Sequence, residues 1–348
     1  MNRPTMKRLA LVCALFTLAT ACAQAPSTAT PPSSSSDATA SQPPREQITL
    51  MLDWTPNTNH TGIYAAEQLG WYDDAGLDVE IVQPGEQGGL AALGAGRADV
   101  AVSVQEAVVP ARAQGAPIVS IGAIIASNTS ALMALAGEGI KNPGDLPGHR
   151  YGGFGGQLET ALISELVRCA GGDPDAVEYV EVGNVDYRVG LQRDFYDFVW
   201  IFEGWDGIRL QQADGVNVAL LPFADELDCI PDWYTPLFAS TEQTLEERGE
   251  ALRRFMKVTA KGYQLAMDEP DRAADLLLQA APELDPELVR ASARYLSTRY
   301  AAEGSPWGVQ EDAVWTRFVS FLKDAGLIDE LIDVDAAYTN ELLPEQQE

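Results

Sequence analysis

The 348-residue sequence has few of the residues that enzymes and metalloproteins use for chemistry. It contains only two histidines and four cysteines, and it has no HExxH, CxxC, GxSxG or P-loop motif. Both histidines, and the two cysteines that follow Cys22, lie far apart in the sequence, so we expect no transition-metal site. Because these motifs are absent, we expect a protein that is not an enzyme, with no catalytic residue and no bound cofactor.

Positive charge is also scarce. The chain has 23 lysines and arginines against 51 aspartates and glutamates, a formal net charge of −28. Residues 1–21 carry three bases and no acids, so without them 20 bases stand against 51 acids, a net charge of −31. A chain of this charge repels nucleic acid and anionic lipid headgroups, and we expect neither as a partner.

No apolar run is long enough to span a bilayer. Leu9 to Ala21 follows a basic start and ends in LATAC, where Cys22 is the last letter. The pattern resembles a bacterial lipoprotein signal, which predicts a signal peptide at 1–21 and a lipidated Cys22. An ordinary cleaved signal peptide is the alternative. Residues 22–45, rich in Ser, Thr, Pro and Ala, predict a disordered tether.

These features predict an extracytoplasmic protein, periplasmic or at the cell surface, that contacts the membrane through its lipid anchor only. In such an oxidising compartment Cys169 and Cys229 could form a disulfide. Two free thiols are the alternative, because the sequence does not show whether the two residues are close.

From residue 46 onward the chain alternates between strand-like and helix-like segments. The alternation predicts a parallel sheet covered by helices, and a second, smaller α/β unit begins at residue 149. After Thr241 the pattern is helical only, over 242–267, 270–281, 285–301 and 309–326. The expected fold class is therefore α/β, with two lobes and a helical C-terminal part.

Three strand exits carry unusual side chains. They are LDWTPNTNHTGIY (52–64), HRYGGFGG (149–156) and WIFEGWDG (200–207). Ligands of α/β sheets bind outside the carboxyl ends of the strands, so we predict that these exits converge on one cleft. A Trp face beside a carboxylate suits a flat heterocycle with an exocyclic amine. The glycine run either lets the backbone approach a ligand or only makes a tight turn.

These segments resemble the ThiY-type thiamine-pyrimidine-precursor binding lipoproteins of ABC transporters, relatives of the fungal thiamine pyrimidine synthase. The resemblance covers roughly residues 46 to 330. It implies a type II periplasmic-binding fold with lobe I at 46–134 plus 236–346 and lobe II at 135–235. It also implies a monomer that binds N-formyl-4-amino-5-aminomethyl-2-methylpyrimidine or a close relative and delivers it to an ABC permease.

By motif position, the resemblance implies a set of ligand-binding residues on each lobe. On lobe I they are Asp53, Trp54, Asn57, His60 and Tyr64, and on lobe II they are Gly153, Phe154, Gly155, Gly156, Glu203 and Trp205. We expect His60 to be a hydrogen-bonding residue rather than a base. We expect Glu203 to accept a hydrogen bond from the amine of the ligand, and the competing interpretation is that Glu203 only begins a helix.

Two alternatives to this function remain. One is a pyridoxal-phosphate enzyme like the fungal relative, but a Schiff base needs a positioned lysine. The only lysines after the signal are Lys141, Lys257, Lys261 and Lys323, all outside 46–134. The other is the same fold with a flavin precursor, nitrate or a sulfonate as ligand. Anions favour arginine, and Arg150 is the only arginine in the site segments.

Overall fold

The computed structural model describes residues 45–85, 88–183 and 186–344. The predicted signal peptide, Cys22 and nearly all of the predicted tether lie outside these residues. Within the described residues, no helix combines the length and the apolar character needed to cross a membrane.

The first sheet forms the centre of lobe I and has the strand order β2-β1-β3-β10-β4. Strands β1, β2 and β3 are parallel, and β10 is antiparallel to both β3 and β4. The bounds are β1 Glu46–Met51, β2 Leu77–Val82, β3 Val100–Ser103, β4 Ile118–Ala123 and β10 Leu237–Thr241.

The second sheet forms the centre of lobe II and has the strand order β7-β6-β8-β5-β9. Strand β6 is parallel to β7 and β8, whereas β5 is antiparallel to β8 and β9. The bounds are β5 Ser130–Leu135, β6 Arg150–Gly153, β7 Glu178–Glu181, β8 Phe198–Phe202 and β9 Val218–Pro222.

Ten α-helices lie in the described residues, and four of them follow β10 as predicted. Lobe I carries α1 Thr61–Gln68, α2 Trp71–Asp74, α3 Gly88–Gly94, α4 Gln105–Ala113, α7 Glu242–Asp268, α8 Pro270–Ala280, α9 Pro286–Leu296 and α10 Asp312–Asp324. Lobe II carries α5 Gln157–Cys169 and α6 Tyr187–Gln192. Two π-helical turns, Glu203–Gly207 and Arg209–Ala213, follow β8.

The predicted parallel pairing holds for β1–β3 and for β6–β8, but both sheets are mixed, because β5 and β10 run antiparallel to their neighbours. The sequence pattern did not predict either strand. Every residue of β10 and all but the last residue of β5 are buried, so the strands lack the alternation that marks a half-exposed strand. Strand β5 also belongs to the second sheet, although the boundary predicted after residue 134 places most of it in lobe I.

Two crossover segments therefore connect the lobes, residues 124–129 between β4 and β5 and residues 223–236 between β9 and β10. A disulfide between Cys169 and Cys229 joins the end of α5 to the second crossover. Each crossover leads into a strand that runs antiparallel to its neighbours. The first sheet contains strands from before the first crossover and after the second, whereas the second sheet is built entirely from residues between the crossovers.

Candidate functional site

A cavity with a volume of about 600 Å³ is lined by residues of both lobes. Its lining residues come from the predicted strand exits and from several further elements: Asp53, Trp54, Asn57, Asn59, Thr129, Phe154, Asp186, Tyr187, Phe202, Gly204, Trp205, Asp206, Arg209 and Leu296. Another cavity, of about 620 Å³, lies between α5 and the end of α10, and Phe321 is its only aromatic lining residue. The first cavity combines aromatic rings and carboxylates, so it is the candidate ligand site.

His60 orients Asp53 at the wall of the cavity. Its side chain is fully buried, and its Nε2 lies 2.8 Å from Oδ1 of Asp53. Its Nδ1 accepts a hydrogen bond from the backbone N–H of Asn57 at 3.3 Å. An Nδ1 that accepts leaves the imidazole proton on Nε2, so a neutral His60 donates to Asp53. His60 itself does not line the cavity; it fixes a carboxylate that does.

Residues of the C-terminal helical part form hydrogen bonds with the turn at residues 57–60, the recognition turn. The hydroxyl of Tyr300 donates to the carbonyl of Thr58, and the hydroxyl of Tyr263 donates to the carbonyl of Asn59, each at 2.6 Å. The hydroxyl of Ser292 on α9 contacts the hydroxyl of Thr58 at 2.5 Å and donates to the carbonyl of Gly204 on lobe II. Ser292 therefore connects the walls of the cavity that the two lobes contribute.

The π-helical turns after β8 bring Trp205, Asp206 and Arg209 to the cavity. A π-helix is rare and occurs often at functional sites, because its wider turn presents side chains that a regular α-helix would place elsewhere. Trp205 also packs against an apolar cluster of α8 and α9, so it contacts lobe I from lobe II.

Glu203 is absent from the cavity lining, although the sequence predicts that it contacts the ligand. Its carboxylate lies beside Tyr295 and Arg299, and burial raises its pKa while the charge of Arg299 opposes this shift. Tyr64 is likewise absent from the lining and packs against the cluster of α8 and α9. In the structure these two residues belong to the contact region around α9 rather than to the cavity wall.

Glu159 occupies the backbone donors of the glycine-rich turn. Its carboxylate accepts hydrogen bonds from the N–H groups of Phe154, at 3.1 Å, and of Gly156, at 2.9 Å. A Cβ atom at Gly153 would lie 2.4 Å from the ring of Tyr151, which explains the glycine there by close packing. Of the four predicted residues in this turn, Phe154 lines the cavity, whereas Gly155 lines the second cavity.

The cavity wall carries more negative than positive charge. Asp53, Asp186 and Asp206 line it together with a single cationic residue, Arg209. Arg209 forms an ion pair with Asp186 at 3.4 Å. Burial raises the pKa of Asp206 to about 6, and the hydrogen bond from the N–H of Phe202 and the charge of Arg209 only partly oppose this shift.

Sequence reasoning did not identify several lining residues. Asp186 and Tyr187 follow the end of β7, so the rule that found the other strand exits could have found them too. Asp206 lies within the EGWDG segment itself, but the sequence does not show which of its two acids faces the cavity. Leu296, which is contributed by α9, has no signal in the sequence.

Among the described residues we find no cluster that could bind a metal ion and no lysine at the cavity wall. They contain no cluster of three or more His, Cys, Asp or Glu side chains that could hold a metal ion. None of the lysines lines the cavity: Lys261, for example, lies over the ring of Trp71, and Lys323 donates to the carbonyl of Asp329.

Comparison with solved structures identifies the fold. The chain is similar to the periplasmic aliphatic sulphonate binding protein SsuA from Escherichia coli, with a TM-score of 0.66 and 17% sequence identity. The match covers 87% of this chain and 95% of SsuA. The protein therefore has the two-lobed type II periplasmic-binding fold that the sequence predicts.

Two relatives are similar in sequence over most of the chain. A formylaminopyrimidine-binding protein from Halalkalibacterium halodurans is 30% identical over 311 residues, which cover 85% of this chain and 90% of that protein. A 4-amino-5-hydroxymethyl-2-methylpyrimidine phosphate synthase from Legionella pneumophila is 29% identical over 303 residues, 86% of this chain and 93% of that protein. One relative is named as a binding protein and the other as an enzyme.

The family match extends across both lobes. Residues 57–273 match the family described as NMT1/THI5 like, which is more than half of the chain. The matched region includes Asn57, the glycine-rich turn and the π-helical turns that form the cavity. The chain belongs to the NMT1/THI5-like family.

Proposed function

We propose that this protein is the extracytoplasmic substrate-binding component of an ABC importer and that it captures a thiamine pyrimidine precursor between its lobes. The observation that carries the proposal is the cavity, which combines tryptophan rings and carboxylates at converging strand exits. The similarity to a formylaminopyrimidine-binding protein supports the same ligand class. N-formyl-4-amino-5-aminomethyl-2-methylpyrimidine and its close relatives are the ligands that we propose.

The proposed recognition of the pyrimidine uses stacking and one carboxylate. Trp54 and Trp205 provide aromatic faces against which a flat ring can pack. Asp53 accepts a hydrogen bond from the exocyclic amine, because His60 fixes this carboxylate at the cavity wall and leaves one oxygen without that bond. This assignment replaces Glu203, whose carboxylate lies beside Tyr295 and Arg299.

Catalysis with pyridoxal phosphate is the main alternative, since one relative is named as a synthase. A lysine within the cavity would favour that alternative, because the cofactor would need one for a Schiff base. The cavity has no lysine among its lining residues. The geometry therefore favours binding without turnover.

Anionic ligands such as nitrate or a sulfonate are disfavoured by the occupied donors around the cavity. Glu159 already accepts from the N–H groups of the glycine-rich turn. Arg209, which lines the cavity, forms an ion pair with Asp186, and Arg150, which does not line it, forms one with Asp197 at 2.6 Å. An anion would compete with a carboxylate for each of these donors.

Titration calorimetry on the purified protein tests the proposal. The formyl, hydroxymethyl and aminomethyl forms of the 4-amino-2-methylpyrimidine serve as ligands, with riboflavin, nitrate and an alkanesulfonate as competitors. We expect at least one pyrimidine to bind and to be recovered unchanged after incubation with pyridoxal phosphate. Binding of riboflavin or a sulfonate with no pyrimidine binding would overturn the ligand class, and a chemically altered pyrimidine would overturn the binding role.

A matched pair of aromatic substitutions locates the site. Trp54 lines the cavity and is 54% exposed, whereas Phe195 is 49% exposed and is not a lining residue. We expect Trp54→Ala to weaken pyrimidine binding by about tenfold, because a stacked aromatic pair contributes roughly 0.5–1.5 kcal/mol beyond its buried area. Phe195→Ala should leave the affinity unchanged. Equal affinities for both variants in calorimetry would place the ligand elsewhere.

The lipid anchor remains a prediction from the sequence, since Cys22 lies outside the described residues. Mass analysis of the N-terminal peptide from the native membrane fraction should find an acylated Cys22. A soluble mature protein with an unmodified terminus would contradict this prediction.

A further inference from the structure

The charges that line the candidate cavity do not balance. Asp53, Asp186 and Asp206 contribute three carboxylates, and Arg209 is the only Lys or Arg side chain among the lining residues. Arg209 pairs with Asp186 at 3.4 Å, which leaves two carboxylates for which the described residues provide no ion pair with Lys or Arg.

Neither of these carboxylates accepts a hydrogen bond from a lysine or arginine among the described residues. Asp53 lies 2.8 Å from Nε2 of His60, whose Nδ1 accepts a hydrogen bond from the backbone. Asp206 accepts from the backbone N–H of Phe202 at 3.4 Å, a long contact. The charge of Arg209 only partly offsets the cost of burying the Asp206 carboxylate, and a bound cation beside this carboxylate would offset that cost further.

Aromatic rings accompany the unbalanced charge. Trp54, Tyr187 and Trp205 line the same cavity. The face of an aromatic ring attracts a cation, most strongly for tryptophan, and this attraction adds to that of the carboxylates. A cavity whose lining has three carboxylates, one arginine and three such rings is suited to a ligand that carries a positive charge.

We infer that, among the pyrimidines proposed above, the cavity binds most tightly a cationic form, carrying either an ammonium group or a quaternary nitrogen on a second ring, and binds the neutral formyl form less tightly. The inference rests on the proposed function and specifies its ligand. Asp53 receives the exocyclic amine, and Asp206 faces the positive charge. The volume of about 600 Å³ admits either substituent, because pockets of about 300–1,000 Å³ hold drug-sized ligands.

The environment of Asp206 couples the binding of a cationic ligand to the release of a proton. Arg209 on the following turn and Tyr187 at the start of α6 interact electrostatically with Asp206. Asp53 and Asp186 are the other acids that line the same cavity. Burial raises the pKa of Asp206 to about 6, and a bound cation favours the ionised form. Binding of a cationic ligand near pH 6 therefore releases a proton, and the release ceases at higher pH, where Asp206 is already ionised.

Calorimetry with three kinds of pyrimidine tests the inference. At about pH 7.5 the aminomethyl form carries an ammonium, the formylaminomethyl and hydroxymethyl forms carry no charge on that substituent, and thiamine carries a quaternary nitrogen. We expect at least one cationic ligand to bind about tenfold more tightly than the neutral forms, and its affinity to fall with added salt. The aminomethyl and thiamine arms distinguish the two sources of the charge.

The variant Asp206→Asn removes the proposed counter-charge while it keeps the size of the side chain. We expect it to lose about tenfold in affinity for the cationic ligand and less than about twofold for the neutral forms. Glu250→Gln is the control, since it changes the net charge equally and its side chain is 91% exposed on α7. The control should bind every ligand as the parent does.

The outcomes separate the inference from the proposed function. Neutral forms that bind as tightly as the cations in the parent protein overturn the inference and leave the proposed function intact. The absence of binding by any pyrimidine overturns the proposed function itself. If Asp206→Asn does not fold, a measurement on the parent protein takes its place: the number of protons released on binding near pH 6, obtained by calorimetry in buffers of different ionisation enthalpy. Equal proton release for neutral and cationic ligands overturns the inference.

Discussion

At the scale of single residues, the site depends on side chains that never reach its surface. His60 is fully buried, yet it determines where one oxygen of Asp53 lies. Glu159 is another example, because its carboxylate fixes the turn that carries Phe154. A buried residue such as His60 changes ligand affinity by positioning the neighbouring side chain that lines the cavity, and this change in affinity can be measured.

Removal of His60 should weaken binding through Asp53. We expect His60→Ala to lower pyrimidine affinity by about tenfold or more and stability by about 2–4 kcal/mol, since it leaves a cavity and unpaired polar groups. In a double-mutant cycle measured by calorimetry, the same change in an Asp53→Asn background should cost little further affinity. Additive losses would show that His60 acts independently of Asp53.

Glu106 should make stability depend on pH. Its carboxylate is buried beside the side chain of Trp233, and its Oε1 accepts from Thr235 in the second crossover at 3.4 Å. Burial raises its pKa from 4.5 to about 7. The folded state therefore binds the proton more tightly than the unfolded state, and stability falls as the pH rises through that interval.

Glu106→Gln should remove this loss of stability because the amide does not ionise. We expect the variant to be more stable than the parent by about 1 kcal/mol at pH 8, with a smaller difference in stability between pH 5 and pH 8. Urea unfolding at both pH values measures this. A variant that is less stable than the parent at pH 8 would contradict the role assigned to burial.

At the scale of secondary-structure elements, close packing of α1 against α7 supports the recognition turn. The two helices approach at Gly62 and Gly262, where a Cβ atom on Gly262 would lie 1.9 Å from the carbonyl oxygen of Gly62. The next residue on α7, Tyr263, donates to the carbonyl of Asn59 in the cavity wall. The spacing of the two helices therefore affects the geometry of the site.

Two glycines of α7 provide a matched test. Gly262→Ala should lower stability by about 3 kcal/mol and also weaken ligand binding, because the helices must separate and Tyr263 must move. A Cβ atom at Gly249, by contrast, meets no atom within 4 Å. Gly249→Ala should leave stability unchanged or raise it by up to about 1 kcal/mol. Similar melting temperatures for the two variants would refute the close-packing argument.

At the scale of the whole molecule, the disulfide attaches the second crossover to α5. Cys169 ends α5 and Cys229 lies within residues 223–236, so α5 is covalently joined to one of the two connections between the lobes. The two cysteines are 60 residues apart in the sequence. The sequence alone left the pairing open, and the fold brings the two residues together.

Loss of this disulfide should lower the free energy of unfolding by about 4 kcal/mol, the value expected for a closed loop of that length. Thermal melts of the Cys169→Ser, Cys229→Ser double variant measure the effect. A reducing agent should lower the melting temperature of the parent and leave that of the variant unchanged. Parent melts that do not respond to complete reduction would contradict this prediction.

The local pattern of apolar and polar residues was sufficient to predict much of the fold. Strand–helix alternation and the helical run after Thr241 depend on periodicities of a few residues, and the structure confirms the α/β class, the two lobes and the C-terminal helices. The antiparallel strands β5 and β10 were missed because nearly all of their residues are buried and show no alternation.

The sequence by itself determined the unusual strand exits, the strong negative charge and the scarcity of lysine and histidine, because these are properties of composition and local order. Only the tertiary structure decided which side chains face the cavity. Glu203 and Asp206 lie three residues apart in one segment, yet a π-helical turn directs Asp206 into the cavity and leaves Glu203 beside α9. That choice depends on packing between the lobes, since α9 is distant in sequence and contacts the turn only in the folded protein.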